Sequence, residues 1–247
     1  MTPAVYLVSG ASRGIGLALV AQLAIRQNTI VFAGARNPSA AKDLLGLQLE
    51  HPDKVYIVKL TSADKAENEA AIAKVKEIAG RLDVVIANAG LSGIYSLATE
   101  VSLEAMRNLF EVNVLGPLVL FQASYALLKA STEHPKFFTI TSELASVQFG
   151  PGLPWPTTAY GTSKAAANWL TLKLHYEYPG LIAFPIHPGV VKTDMTAHAE
   201  AFEPLFAAIP KITPEESAKG ILNVVVTATR DEEGPKFMTW DGRVMPL

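Results

Sequence analysis

Short runs of apolar residues alternate along the chain with longer stretches in which apolar residues recur every three to four positions. An uninterrupted apolar run predicts a strand that is buried on both faces, and the longer period predicts a helix. The predicted strands are 4–9, 29–34, 54–60, 82–87, 136–141 and 181–186. The predicted helices between them, each rich in Ala and Leu, are 14–27, 38–46, 64–80, 102–130 and 158–178.

Strands that alternate with helices predict a parallel sheet with helices on both faces. Right-handed crossovers then give a three-layer, doubly wound α/β fold with a sheet of about seven strands. A further helix at 213–229 and a last strand at 236–239 complete it. No linker rich in Pro and Gly divides the chain, so residues 1–247 are predicted to form a single domain.

The composition narrows the possible partners. Hydrophobic residues make up 49% and charged residues 18% of the 247 positions, which is typical of a compact globular protein. The net charge is −2 without a basic cluster, so we expect neither nucleic acid nor a membrane surface as a partner. The absence of cysteine excludes disulfides, thiolate metal sites and cysteine nucleophiles, and no metal is expected. No signal or transmembrane segment is apparent, so a cytoplasmic location is expected.

A glycine-rich turn, SGASRGIGLAL, follows the first predicted strand and carries Gly10, Gly14 and Gly16. Glycines let the backbone approach a pyrophosphate, which then lies at the positive end of the next helix. This position in the chain favours a Rossmann fold that binds a dinucleotide. The same letters also fit the nucleophile elbow of a serine hydrolase, with Ser12 as nucleophile. That alternative would need several preceding strands and an oxyanion loop, which are missing. It would also need an Asp and then a His downstream, for which pairs such as Asp194 with His198 can be nominated only loosely.

The end of the second predicted strand, AGARNP, points to the type of dinucleotide. An acidic residue usually binds a free ribose 2′-hydroxyl at this point, and an arginine binds a 2′-phosphate. The chain has Arg36 there, no carboxylate before Asp43, and a second cation, Arg13, in the glycine loop. Guanidinium groups suit a phosphate dianion through paired hydrogen bonds, so NADP(H) is predicted over NAD(H).

Five further motifs follow in order: ANAG (87–90), NVLG (113–116), ITSELAS (140–146), YGTSK (160–164) and HPGVVKTDM (187–195). With the glycine loop, they make the sequence resemble the short-chain dehydrogenase/reductase (SDR) family over essentially the whole chain. Within it, the carbonyl-reducing subgroup of norsolorinic acid ketoreductases, C-signal and sniffer-type reductases is the most similar. The stretches ITPEESAKGIL (212–222) and WDGRVMPL (240–247) support that subgroup.

The resemblance implies four catalytic residues. Tyr160 would donate the proton in ketone reduction and act as the base in alcohol oxidation. Lys164 would hold the nicotinamide ribose and lower the pKa of the tyrosine. Ser142 would donate a hydrogen bond to the substrate carbonyl, and Asn113 would anchor a water that leads out from the lysine.

The chemistry is consistent without the family. Residues four apart share one helix face, so Tyr160 and Lys164 can converge on one site. A phenol titrates near pH ~10, and a nearby ammonium favours the phenolate. Hydroxyl donors can also stabilise the negative charge that develops on a carbonyl oxygen. Taken singly, the pair is more often a packing feature, Ser142 could cap a turn, and Ser146 could be the functional serine instead.

The resemblance also implies a set of residues that bind NADP(H). They are Gly10, Ser12, Arg13, Gly14, Ile15, Gly16, Arg36, Asn37, Leu60, Thr61, Asn88, Ala89, Gly90, Tyr160, Lys164, Pro188, Gly189, Val191 and Thr193. Three positions depart from the family pattern. Ser9 replaces a threonine and Ala87 an asparagine, and Thr61 replaces the aspartate that usually holds the adenine amino group. Whether Thr61 or Asp64 contacts the adenine stays open.

The substrate side is predicted to be apolar. Leu144, Phe149 and Trp155 lie between the catalytic serine and tyrosine in a loop that prolines stiffen. A lid around 190–212, with Phe202 in it, is expected to cover a medium-sized hydrophobic ketone or aldehyde. The reaction would run in both directions. The alternative within the same family is a non-catalytic protein that binds NADP(H) and regulates a partner.

The resemblance also implies assembly. Pairing through the segments 102–130 and 158–178 would give a homodimer or homotetramer.

Overall fold

The structure is a computed structural model, and it describes residues 2–93, 95–231 and 233–247. Among these residues, eight strands form one sheet in the order β3-β2-β1-β4-β5-β6-β7-β8. The strands are β1 (Ala4–Val8), β2 (Thr29–Ala35), β3 (Val55–Lys59), β4 (Val84–Ala87), β5 (Lys136–Ile140), β6 (Ile182–His187), β7 (Phe237–Thr239) and β8 (Val244–Met245). The predicted doubly wound parallel sheet is confirmed for β1 to β7.

Strand β8 is a short addition that the sequence pattern did not predict. It pairs antiparallel with β7, and Met245 lies opposite Phe237. The turn between them is closed by hydrogen bonds between Thr239 and Arg243: the Thr239 amide and hydroxyl donate to the Arg243 carbonyl oxygen, and the Arg243 amide donates to the Thr239 hydroxyl. A two-residue strand is too short to show any periodicity, so only the tertiary pairing reveals it.

Apart from the two short helices within the expected lid segment, Asp194–Phe202 and Pro204–Ala207, the helices lie near their predicted positions. They are α1 (Gly14–Ala24), α2 (Lys42–Glu50), α3 (Lys65–Ala79), α4 (Leu103–Phe110), α5 (Gly116–Lys129), α6 (Thr158–Glu177), α7 (Asp194–Phe202), α8 (Pro204–Ala207) and α9 (Pro214–Thr227). Helix α3 shows why such bounds can be predicted: Asp64 accepts a hydrogen bond from the Glu67 amide at its start, and Gly80 ends it with a φ of 70°.

Two predicted helices are subdivided. The segment predicted at 38–46 begins as a 3-10 turn, Pro38–Ala40, before α2 starts at Lys42. The segment predicted at 102–130 contains a π-helical turn, Glu111–Leu115, between α4 and α5. These three pieces form the span Leu103–Lys129. By length and composition that span is the one described helix that could cross a membrane. It carries buried core residues such as Leu120 and Phe121, as a core helix of an α/β fold does.

A separate apolar core covers each face of the sheet. One core packs the sheet against α1, α2 and α9, and the other packs it against α3, α5 and α6. The parallel strands therefore have buried side chains on both faces, which is why they read as unbroken apolar runs. Their carboxyl ends lie at one edge of the sheet, and the loops after β1 to β6 carry most of the predicted site residues. A functional site is expected along that edge.

Candidate active site

The glycine loop after β1 is packed tightly against the loop after β4. Gly10 has a φ of 65°, and a Cβ at this position would lie 2.8 Å from Ala89 Cα. A Cβ at Gly16 would lie 2.2 Å from the Gly10 carbonyl oxygen. No side chain can be accommodated at either position without moving backbone atoms. These two glycines therefore bring the first turn of α1 against the edge of the sheet.

Ser9 holds the two loops together. Its buried hydroxyl accepts hydrogen bonds from the backbone amides of Asn88 (3.1 Å) and Ala89 (3.0 Å). The Asn88 side chain returns hydrogen bonds to the carbonyl oxygens of Ser9 (3.0 Å) and Gly10 (3.2 Å). The departure from threonine at Ser9 therefore keeps the hydroxyl that this junction needs.

The amino-terminal end of α1 fits an anionic ligand. Its first turn contains no acidic residue, and Arg13 at the N-cap position supplies no side-chain cap. The first amides of a helix have no partner within the helix, and their dipoles favour negative charge. The residues of this loop, Ser12 and Ile15 included, would hold a pyrophosphate in the way the glycine motif predicts.

The two predicted phosphate-binding arginines differ in their surroundings. Arg13 donates a hydrogen bond from Nη1 to Asp194 Oδ2 at 2.8 Å, and both side chains are exposed. Arg36 is exposed directly after β2 and makes no hydrogen bond or ion pair with the described residues. Asn37 next to it accepts a hydrogen bond from Ser39. Arg36 is thus the guanidinium that is available for a 2′-phosphate without first breaking a contact.

The adenine side is only partly defined. Leu60 is buried directly after β3, and Gly34 packs against it. The carbonyl oxygen of Thr61 accepts a hydrogen bond from Asn68 at 2.9 Å. Asp64 is engaged as the N-cap of α3. Which of Thr61 and Asp64 contacts the adenine stays a prediction.

Tyr160 and Lys164 lie on one face of α6, as their spacing predicts. Lys164 is buried, and its Nζ atom lies 5.9 Å from the centre of the Tyr160 ring. Nζ donates a hydrogen bond to the Ile140 carbonyl oxygen at 2.9 Å. A Cβ at Gly90 would lie 3.2 Å from Nζ. An ammonium has three donors, so Lys164 keeps donors for ribose hydroxyls beside the loop 88–90.

Burial moves the pKa values of this pair in opposite directions. It raises the pKa of Tyr160 to about 12, and the hydrogen bond with Ser142 offsets part of that rise. It lowers the pKa of Lys164 to about 8. Burial is the largest influence on the pKa of the phenol, and the expectation that the lysine lowers this pKa stays a prediction. The phenol is held in its protonated form.

Asn113 lies in the π-helical turn and is buried. Its side chain accepts a hydrogen bond from the Leu91 amide (2.8 Å) and donates to the Leu91 carbonyl oxygen (2.9 Å). It also donates to Ser163 Oγ at 3.0 Å. Asn113 thus ties the loop after β4 to α6 beside Lys164. Its role in anchoring a water stays a prediction.

Ser142 begins a short turn after β5. Its hydroxyl accepts a hydrogen bond from the Leu144 amide at 3.3 Å, at the start of the 3-10 turn Glu143–Ala145. The Glu143 amide donates to His187 Nδ1 at 3.0 Å, which links the turn to the end of β6. Ser146, the alternative serine, is buried and accepts from the Phe149 amide at 3.0 Å. Of the two serines, Ser142 is the one that reaches Tyr160.

A cleft of about 800 Å³, which includes its open mouth, lies beside the Ser142 and Tyr160 hydroxyls. Ser142, Tyr160, Leu144 and Trp155 are among its lining residues. Phe149 and Phe202 lie outside the lining; Phe202 instead stacks on Tyr95, with ring centres 5.6 Å apart. The aromatic lid residue on the cleft is Phe206, which packs edge-on against Trp155 at 5.5 Å.

The segment after β6 forms another wall of the cleft. Pro188, Gly189, Val191 and Thr193, which the resemblance assigns to NADP(H) binding, all line it. Thr193 also caps α7 through a reciprocal pair of hydrogen bonds with Thr196. Helix α7, in the segment expected to form a lid, therefore starts from this wall of the cleft.

Several lining residues were not singled out from the sequence: Tyr95, Thr141, Glu143 and His187. Thr141 is buried, and its hydroxyl has no hydrogen-bond partner among the described residues. It directly precedes Ser142, so a run of candidate polar positions at the end of β5 could have indicated it. An unpaired buried hydroxyl at this edge is further support for a bound polar ligand.

The serine hydrolase alternative finds no triad in the described residues. Asp194 pairs with Arg13, and His198 Nε2 contacts the Gly93 carbonyl oxygen at 3.3 Å. Neither forms a hydrogen bond with Ser12. A hydrolytic serine needs a base within hydrogen-bond reach, so the arrangement does not support this chemistry.

Known proteins resemble the chain over nearly its full length. The family model described as short chain dehydrogenase matches residues 4–204. A norsolorinic acid ketoreductase of Aspergillus parasiticus is 37% identical, over 98% of this chain and 90% of that protein. An uncharacterized oxidoreductase of Schizosaccharomyces pombe is 36% identical, over 100% of this chain and 99% of that protein. A crystal structure of an NADPH-bound carbonyl reductase from chicken fatty liver has a TM-score of 0.88 at 30% identity and full coverage of both chains.

Proposed function

The chain belongs to the short-chain dehydrogenase/reductase family, and from that premise we propose that it is an NADPH-dependent carbonyl reductase. It reduces a medium-sized hydrophobic ketone or aldehyde to the alcohol, in a reversible reaction. The observation that carries this proposal is the meeting of two hydroxyls, Ser142 and Tyr160, at one apolar cleft, with the buried Lys164 behind the Tyr160 ring.

The residues at the edge of the sheet fit NADP(H). The glycine loop with the start of α1 would hold the pyrophosphate, Arg36 the 2′-phosphate, and Lys164 the nicotinamide ribose. Gly10 and Gly16 leave no room for side chains, so the glycine loop packs against the loop after β4, at the edge of the sheet where the pyrophosphate would lie. When bound, NADPH supplies the hydride that reduces the carbonyl carbon.

The protein side chains supply the proton and the electrostatic stabilisation. Ser142 and Tyr160 donate hydrogen bonds to the carbonyl oxygen, on which negative charge develops. Tyr160 then gives its proton to that oxygen, and the phenol carries this proton at neutral pH. The positive charge of Lys164 stabilises the phenolate that remains. Asn113 links the loop after β4 to α6 beside Lys164, because its side chain donates hydrogen bonds to the Leu91 carbonyl oxygen and to Ser163 Oγ.

The cleft supports an apolar substrate. Leu144, Trp155 and Phe206 provide apolar and aromatic surface around the two hydroxyls. A cytoplasmic location and assembly through the segments 102–130 and 158–178 remain predictions.

The direct test is Tyr160→Phe, measured by NADPH oxidation over a panel of aryl ketones and aldehydes with NADH as comparison. Because the variant lacks the proton donor, we expect kcat to fall by about 10² or more. The matched control is Tyr176→Phe, which alters an exposed tyrosine on the same helix and should retain activity. Full activity of Tyr160→Phe would refute the proposed role. Absence of turnover with every carbonyl, together with NADPH binding, would favour the non-catalytic regulatory alternative.

A further inference from the structure

Glu143 is an acidic residue on a cleft whose surface is otherwise largely apolar. It follows Ser142 directly and opens the turn Glu143–Ala145. Its carboxylate makes no hydrogen bond or ion pair with any described residue. Glu203, also on the cleft, differs in this respect, because its Oε1 atom accepts a hydrogen bond from the Leu205 amide at 3.2 Å. Glu143 is therefore the carboxylate with open acceptor positions.

The backbone of Glu143 is fixed relative to the reacting groups. Its amide donates to the buried His187 Nδ1 at 3.0 Å, and the neighbouring Leu144 amide donates to Ser142 Oγ at 3.3 Å. The side chain thus leaves a turn that is anchored both to β6 and to the catalytic serine. A group of the substrate that contacts Glu143 would be placed relative to the carbonyl held by Ser142.

The Glu143 carboxyl group and the Tyr160 phenol lie in the same poorly solvated part of the cleft. Burial raises the pKa of Glu143. The pKa of Tyr160, raised first by burial, receives a smaller upward contribution from the Glu143 charge. A carboxyl group that has lost water without gaining a partner is costly, and a ligand that supplies a donor recovers that cost.

We propose that Glu143 is a specificity-determining residue that accepts a hydrogen bond from an O–H or N–H group on the carbonyl substrate. The inference rests on the proposed carbonyl reduction and names the class of substrate within it: hydrophobic ketones or aldehydes that carry a hydroxyl or amino group. Lys164, the buried cation behind the cleft, already donates to Ile140 and is assigned to the cofactor. Substrates with a carboxylate are disfavoured, because they would meet Glu143 with like charge.

The test compares kcat/KM for acetophenones that differ in one ring substituent: hydroxyl, amino, aminomethyl, methyl or carboxylate, each in ortho, meta and para positions. The hydroxyl and methyl compounds have similar size, so their ratio reports the hydrogen bond. The proteins are the wild type, Glu143→Leu, Glu143→Gln and the matched control Glu203→Gln. Thermal unfolding and NADPH binding verify that each variant is folded.

We expect the wild type to prefer the hydroxyl compound over the methyl compound for at least one position of the ring, by about tenfold or more. Glu143→Leu should abolish this preference, and Glu203→Gln should retain it. An amide still accepts a hydrogen bond, so Glu143→Gln should keep much of the preference for neutral O–H and N–H donors. The same variant should lose any preference for the aminomethyl compound, because the ammonium group of that compound is attracted by the charge of the Glu143 carboxylate, which glutamine lacks.

A hydroxyl-to-methyl ratio in Glu143→Leu within about twofold of the wild-type ratio would overturn the inference, while the reduction of both ketones would leave the proposed function intact. A wild-type preference for the methyl or carboxylate compounds would also overturn it. Failure of the wild type to reduce any carbonyl compound would refute the proposed function itself, and the inference with it.

Discussion

Burial acts on Tyr160 and Lys164 in the same physical sense, although it moves their pKa values in opposite directions. In both cases the charged form is disfavoured, so the phenol keeps its proton and the ammonium loses its proton more readily. Ketone reduction needs the protonated phenol and benefits from the charged lysine. The pair is therefore best suited to donate a proton at neutral or mildly acidic pH.

This pair predicts the pH dependence of reduction. Lys164 is charged below its pKa of about 8 and neutral above it, so kcat/KM for ketone reduction should fall as pH rises through about 8. Lys164→Arg keeps its charge across the range, so any residual activity should show no such decrease. The measurement is NADPH oxidation from pH 6 to pH 10. A wild-type profile that is flat through pH 8 would contradict the assignment.

The exposed position of Arg36 leads us to predict a preference for NADPH over NADH. It is exposed after β2 with no partner among the described residues, whereas Arg13 is paired with Asp194. Arg36→Ala should raise KM for NADPH by about tenfold and leave KM for NADH nearly unchanged, because only NADPH carries the 2′-phosphate. Arg107→Ala, at an exposed arginine on α4, is the matched control. Equal effects on the two cofactors would show that Arg36 does not contact the 2′-phosphate.

At the scale of elements, the strands are connected by side chains as well as by the backbone ladder. His187 ends β6 and accepts the Glu143 amide from the turn after β5, while Asn113 joins the π-helical turn to the loop after β4. Burial lowers the pKa of His187 to about 4, so the imidazole is neutral and can accept at Nδ1. The His187 contact fixes the turn that begins at Ser142, and Asn113 fixes the part of α6 that carries Lys164 through Ser163.

The lowered pKa of His187 leads us to predict that the folded protein loses stability at acidic pH. Its pKa is about 4 in the folded protein against an ordinary value of 6.5. A lowered pKa stabilises the fold above pH 6.5, and that contribution, about 3 kcal/mol, is lost as pH falls through 4. His187→Asn keeps an acceptor that does not titrate, so the free energy of unfolding should fall less between pH 7 and pH 4. Urea unfolding measures it, and His134→Gln, at an exposed histidine, is the control.

At the scale of the whole molecule, the predicted assembly has a structural counterpart on α6. Trp169 and Tyr176 are 66% and 64% exposed, and their spacing of seven residues places them on one face of the helix. Large exposed aromatic residues are enriched at protein interfaces. The sequence resemblance predicts pairing through this segment.

Trp169→Glu tests that pairing. If the wild type is a dimer or tetramer in light scattering, the charge should shift the protein toward smaller species, because a buried unpaired carboxylate is costly at an interface. Leu49→Glu, at a leucine that is 82% exposed on α2, is the matched control and should leave the mass unchanged. A wild type that is monomeric at all concentrations would contradict the predicted assembly.

The sequence by itself determined the order of strands and helices, the cofactor loop and the pair on α6. Local hydrophobic periodicity predicts the strands and helices, and the glycines predict the tight turn of the cofactor loop. A spacing of four residues places the pair on one face of a helix. The family resemblance added Ser142 and Asn113, and the structure brings both to the same edge of the sheet as Tyr160 and Lys164.

Only the tertiary structure decided the features that depend on burial and on contacts between distant residues. The pKa of Tyr160 is raised because other elements exclude water from it. Phe206, and not Phe202, faces the cleft because of the way that α7 and α8 fold over it. His187 and Glu143 meet across 44 positions of the sequence, and no local pattern records such a contact. Solvation and long-range contact are properties of the folded chain, and they give this site its specific chemistry.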